Sequence, residues 1–103
     1  MLTTIETSIF QRMAQSVWTD REREAFIAFI SENPMAGDVI PGAESLRKVR
    51  WRLDDMGKSS GARVIYYLRL ANGEVVLVAV YAKAKFDNMP VEILKSRKEA
   101  YDA

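Results

Sequence analysis

The sequence predicts an α+β fold: a helical hairpin packed on a small, mainly antiparallel β-sheet, with one further helix at the C-terminal end. Three observations carry this expectation. Apolar residues recur at helical spacing in two runs of the first third of the chain, separated by a capping-box motif. Three β-rich runs follow, divided by turn signals. A proline then precedes a last run long enough for a helix. A chain of 103 residues has room for one hydrophobic core, so residues 1–103 are read as a single domain.

The β-branched opening Thr3-Thr4-Ile5 reads as a short first strand. From Ser8, the spacing of Ile9, Met13, Ala14 and Val17 predicts an amphipathic helix ending near Val17-Trp18. In Thr19-Asp20-Arg21-Glu22 the threonine hydroxyl and the glutamate side chain can satisfy orphan amides at a helix start, so a second helix begins there. Its inner stripe is Ala25, Phe26, Phe29 and Ile30, and it stops at Asn33-Pro34, because the residue before proline is pushed out of the α region. Residues 33–44 hold Pro34, Gly37, Pro41 and Gly42 around Val39-Ile40 and read as an ordered loop that tucks one apolar side chain onto the core.

A second strand runs from Leu46 to Leu53. Side chains alternate along a strand, so Val49, Trp51 and Leu53 share one face while Lys48, Arg50 and Arg52 share the other. Residues 54–61 form a polar hairpin loop, Ala62 to Leu70 a third strand, and the Asn72-Gly73 pair a tight turn. Val75 to Tyr81, apolar on both faces, is a fourth strand set in the middle of the core. Pro90 suits the first turn of a last helix from Val91 to about Tyr101.

Composition excludes several functions. With no cysteine there are no disulfides and no thiolate metal sites, and with no histidine the chain lacks the commonest general base and metal ligand. There is no P-loop, no dinucleotide fingerprint and no zinc cluster, and the pair Asp54-Asp55 stands beside cations and reads as solvated, so neither metal nor cofactor is expected. Neither a leader pattern nor a bilayer-length apolar run is found, and the expected location is the cytoplasm, with no membrane partner.

The net charge is +1, but the charges are unevenly placed. Residues 1–44 carry three arginines against seven carboxylates, whereas residues 45–70 carry seven cations against Asp54 and Asp55. A local basic field attracts phosphate even in a nearly neutral molecule; the bland alternative is a solvated strand face. Without histidine, what remains is phosphate chemistry run by lysine, arginine and tyrosine. Cleaving RNA through the ribose 2′-hydroxyl needs a base, a proton donor and positive charge around the phosphate. Lys48, Arg50 and Arg63 are the candidate catalytic set, and Arg52, Lys58, Tyr67, Tyr81, Lys83 and Lys85 the candidate substrate contacts. Tyr66 and Tyr67 point to opposite faces, and Tyr66, which shares its face with Val64 and Leu68, is expected in the core, leaving Tyr67 for the ligand. The competing reading of Arg63 is an ion pair with Asp54, Asp55 or the second helix, and Trp51 reads as core rather than as a base-stacking platform.

The order and spacing of Asn33-Pro34-Met35-Ala36-Gly37-Asp38-Val39-Ile40-Pro41-Gly42, Leu46-Arg47-Lys48-Val49-Arg50 and Gly61-Ala62-Arg63-Val64-Ile65-Tyr66-Tyr67, with Ile9-Phe10 and Thr19-Asp20-Arg21-Glu22 ahead of them, resembles the HigB branch of the RelE toxin superfamily over most of the chain. The resemblance implies a RelE-like fold and a bacterial toxin that enters the ribosomal A site and cuts mRNA. It also implies a cognate antitoxin, expected to be a helix-turn-helix protein, that neutralises it. Carried over by position, it gives Lys48 proton transfer and phosphate stabilisation, and Arg50 and Arg63 phosphate binding. The rival readings are a catalytically weak or inactive member that binds only RNA or antitoxin, and a small structural domain whose basic face is an oligomer interface.

Overall fold

The computed structural model describes residues 2–51, 61–82 and 91–102. The expectations for Leu53, for most of the 54–61 loop and for Pro90 lie outside them. The chain runs β1 (Thr3–Glu6), α1 (Ser8–Val17), α2 (Asp20–Glu32), β2 (Asp38–Ile40), β3 (Ala43–Trp51), β4 (Ala62–Arg69), a 3₁₀ turn (Leu70–Asn72), β5 (Glu74–Ala82) and α3 (Val91–Asp102). One sheet has the order β1-β5-β4-β3-β2, with β1 parallel to β5 and every other pair antiparallel.

The helix starts follow from local chemistry. Thr7 caps α1, its hydroxyl accepting from the Phe10 N–H at 3.2 Å and donating to the Leu77 carbonyl at 2.8 Å, which also ties the helix to β5. At α2 the capping box is complete: the Glu22 N–H donates to the Thr19 hydroxyl, and the Thr19 N–H donates to the Glu22 carboxylate. Arg23 of α2 reaches back to β1, donating to both carboxylate oxygens of Glu6 at 2.9 and 3.0 Å. This pair holds the Arg23 guanidinium above its ordinary range.

The sheet is covered on both faces. On one, Phe10, Ala14, Trp18, Phe26 and Ile30 of the hairpin pack on Val49, Val64, Tyr66, Leu77 and Val80. Trp51 belongs to this side, its ring centroid 5.4 Å from Phe26 and 5.7 Å from Trp18, so it is a core residue. On the other, Leu94 of α3 packs with Leu46, Ile65, Tyr67, Val76, Ala79 and Tyr81.

One expectation needs correction. The segment read as loop contains the edge strand β2, in which Asp38 pairs with Lys48 and Val39 with Arg47, so the sheet has five strands rather than four. The segment can come so close because Tyr66 grips it: the phenol donates to the Pro34 carbonyl at 2.7 Å and accepts from the Gly37 N–H at 2.8 Å, while Arg47 donates to the Gly37 carbonyl at 2.7 Å. A Cβ on Gly37 would lie 2.9 Å from the Tyr66 ring and hydroxyl and 3.0 Å from the Lys48 carbonyl carbon, so the approach requires glycine. Ile40 does pack on the second core, as expected of the Val39-Ile40 pair. The tight turn expected at Asn72-Gly73 is a 3₁₀ turn closed by Gly73 in the left-handed region (φ 67°).

β5 lies inside the sheet, as expected, and carries an irregularity that its apolar run does not mark. Ile65 pairs with Ala79 but Tyr66 pairs with Leu77, so Val78 is an extra residue on β5. Such a bulge shifts the phase of every side chain beyond it. Val76, Val78, Ala79 and Tyr81 consequently all face α3, whereas strict alternation from Val76 would send Tyr81 toward the hairpin.

Candidate functional site

The bulge decides what stands beside the arginines. Arg50 of β3 is opposite Arg63 of β4, and Arg63 is opposite Tyr81 of β5. Directly opposed residues of antiparallel strands project from the same face, so these three side chains form one row across the sheet. In the next row Lys48 is opposite Ile65, and Asp38 of β2 is opposite Lys48. The row lies on the α3 side, away from the helical hairpin. A cleft of about 700 Å³ opens there, lined among others by Asp38, Ile40, Lys48, Arg50, Ile65, Tyr81 and Leu94.

Exposure is graded along the row. Arg50 is exposed and Lys48 half-buried, whereas Arg63 is 6% and Tyr81 2% exposed. The buried Arg63 Nε has no hydrogen-bond partner among the described residues. A buried, unsatisfied donor is costly, and two like charges directly opposed on a sheet add to that cost. An anion bound between Arg50 and Arg63 would offset both, since guanidinium donors match the oxygens of phosphate.

Four sequence candidates are therefore neighbours on one face of the sheet: Lys48, Arg50 and Tyr81 line the cleft, and Arg63 lies buried between Arg50 and Tyr81. Arg52, Lys58, Lys83 and Lys85 lie outside the described residues. Tyr67 is not presented to a ligand as expected. It is 2% exposed, because α3 packs on the second face of the sheet and brings the Lys98 ammonium to 4.9 Å from the centre of its ring. Tyr66 is fully buried, as expected, and burial pushes its phenol above the ordinary value against the smaller effects of the Gly37 N–H and the Arg47 charge. An ion pair between Arg63 and α2 is excluded by geometry, since they occupy opposite sides of the sheet. Arg47, part of the same basic run, serves structure by holding Gly37.

Sequence reasoning missed Asp38. Its position opposite Lys48 depends on a strand of three residues set among glycines and prolines, which reads locally as loop. The signal that could have found it is Val39-Ile40, a β-branched pair immediately after a carboxylate.

A helical hairpin on one face of a five-stranded, mostly antiparallel sheet, with a C-terminal helix on the other, is the RelE toxin fold. Similar solved structures include a double arginine-to-alanine mutant of the Escherichia coli toxin RelE in its free state, with a TM-score of 0.65 and 14% identity over 94% of this chain and 96% of that one. They also include the toxin–antitoxin complex RelBE2 of Mycobacterium tuberculosis (TM-score 0.60, 17% identity, 79% and 96% of the two chains). A third is the conserved hypothetical protein HP0892 of Helicobacter pylori, solved in solution (TM-score 0.56, 12% identity, 82% and 97%). No family model matches the chain.

Proposed function

We propose that this protein is a RelE-type toxin, of the HigB branch, that cuts mRNA on the ribosome without a metal ion and is neutralised by a cognate antitoxin. The observation that carries the reading is the row Arg50, Arg63 and Tyr81 with Lys48 beside it, on the open part of a sheet of RelE topology. The row offers charge for a phosphate: Arg50 and Lys48 line the cleft, and Arg63 lies buried in the sheet directly opposite Arg50. Attack of a ribose 2′-hydroxyl on the adjacent phosphorus places extra negative charge on the equatorial oxygens, and fixed cations stabilise that charge more than they stabilise the ground state. The Tyr81 phenol, at the end of the row, can hydrogen-bond a phosphate or sugar oxygen. Weak acid–base groups suffice if the ribosome orients the mRNA, because orientation can contribute about 7 kcal/mol or more.

The resemblance of the segments 33–42, 46–50 and 61–67 to the HigB branch supports that assignment. The toxin–antitoxin complex among the similar structures supports an antitoxin partner, for which a helix-turn-helix protein acting with the toxin in the cytoplasm is the expected form. The test uses purified ribosomes programmed with mRNA. Wild-type protein should produce cuts within codons. Lys48→Ala with Arg50→Ala, both changes at accessible side chains, should abolish cutting while the thermal melt is preserved. Intact mRNA with wild-type protein would overturn the proposal and favour an RNA- or antitoxin-binding member without nuclease activity.

A further inference from the structure

We propose that Asp38 is the general base of this site, the group that takes the proton from the attacking ribose 2′-hydroxyl; the inference rests on the nuclease reading above. Cleavage needs one group that is deprotonated at rest and one that is protonated. Lysine, arginine and tyrosine side chains are ordinarily protonated near neutral pH, so in their resting forms they can donate and clamp but cannot accept. The chain has no histidine, and among the described residues lining the cleft Asp38 is the sole carboxylate.

Its placement is specific. The β2–β3 register sets Asp38 directly opposite Lys48, which puts their Cβ atoms about 5 Å apart on one face of the sheet. Both side chains line the cleft that Arg50 and Tyr81 also line. Asp38 is exposed, so a ligand in the cleft can reach its carboxylate. The strand carrying it is held from behind by Tyr66 and Arg47 through Pro34 and Gly37. The backbone beside Asp38 is therefore fixed, while the carboxylate itself remains accessible.

The step balances without a co-reactant. The 2′-hydroxyl proton passes to an Asp38 oxygen as the 2′-oxygen bonds to phosphorus; the bond from phosphorus to the 5′-oxygen breaks, and that oxygen takes a proton from the Lys48 ammonium. The products are a 2′,3′-cyclic phosphate and a 5′-hydroxyl, and a proton then returns from Asp38 to Lys48 to restore both groups. Lys48 thereby acts as the acid, and Arg50 and Arg63 hold the phosphate.

The experiment is single-turnover cleavage on programmed ribosomes. Asp38→Asn should slow the cleavage step by about 100-fold or more, with the half-saturating protein concentration and the melting temperature unchanged. Asp38→Glu should retain an intermediate rate, and added formate should restore much of the rate of Asp38→Ala by supplying the missing carboxylate. Wild-type speed in Asp38→Asn would overturn the inference while leaving the nuclease reading intact. A slow Asp38→Ala that formate does not rescue would also overturn it, marking a positioning role. Failure of the wild-type protein to cut would remove the nuclease reading itself, and this inference with it.

Discussion

At the scale of single residues, Tyr66 shows how a group outside the cleft governs its shape. Its hydroxyl is at once donor to Pro34 and acceptor from Gly37, and the segment it holds becomes the wall that carries Asp38. Tyr66→Phe removes both bonds and leaves a buried amide unpaired, so it should lower unfolding free energy by about 1–3 kcal/mol in urea titrations at neutral pH. The pH dependence has a definite sign. Burial raises the folded-state phenol above its ordinary value, so at alkaline pH the folded protein binds more protons than the unfolded chain, and stability falls as pH rises. The stabilisation is complete below the ordinary value of about 10 and is lost as pH climbs through the raised one. The stability gap between wild type and Tyr66→Phe should therefore narrow above that pH. A constant gap would contradict the burial of the phenol.

At the scale of elements, helix ends and strand phases follow different rules. The α2 start is written in four consecutive residues, and Thr19→Ala should cost about 1 kcal/mol in urea denaturation, with little effect on cleavage, because the cap lies on the far side of the sheet from the basic row. The same locality makes the helices legible in the sequence: Thr19 to Glu22 fixes a start, and Asn33-Pro34 fixes an end. It also makes the alternation of Lys48 and Arg50 against Val49 and Trp51 readable, since those residues lie within one regular run. The failures all arise where a remote partner decides. Tyr67 is covered because α3 arrives from about 30 residues later, and β2 exists because Tyr66 draws Gly37 against β3. Tyr81, a residue the sequence did single out, stands beside the arginines because Val78 bulges out of register with β4. No local pattern in Val75 to Tyr81, an unbroken apolar run, marks where that extra residue falls.

At the scale of the molecule, the sheet is a partition between charges. The helical hairpin, with Asp20, Glu22, Glu24 and Glu32 on α2, lies on one side, and the row of Arg50 and Arg63 with Lys48 opens on the other. The net charge of +1 therefore conceals, among the described residues, a basic row on one side of the sheet and an acidic helix on the other, and the row is the part that attracts phosphate. At physiological salt the screening length is about 8 Å, shorter than the molecule, so the acidic hairpin does little to weaken binding at the cleft, and the cleft cations act on RNA only at close range. Affinity for a short single-stranded RNA should then fall with salt by roughly 0.7 log units per tenfold rise in salt for each phosphate neutralised. Lys48→Ala and Arg50→Ala should each flatten that slope by about this amount, whereas Arg12→Ala and Arg21→Ala, on the hairpin, should leave it unchanged. Fluorescence anisotropy between 50 and 200 mM salt, on the order of the range in which phosphate contacts are measurably lost, checks both halves of the prediction. Equal flattening by hairpin and cleft variants would mean that RNA samples the whole surface; flattening by the cleft variants alone would localise the phosphate path to the face that the β5 bulge completes.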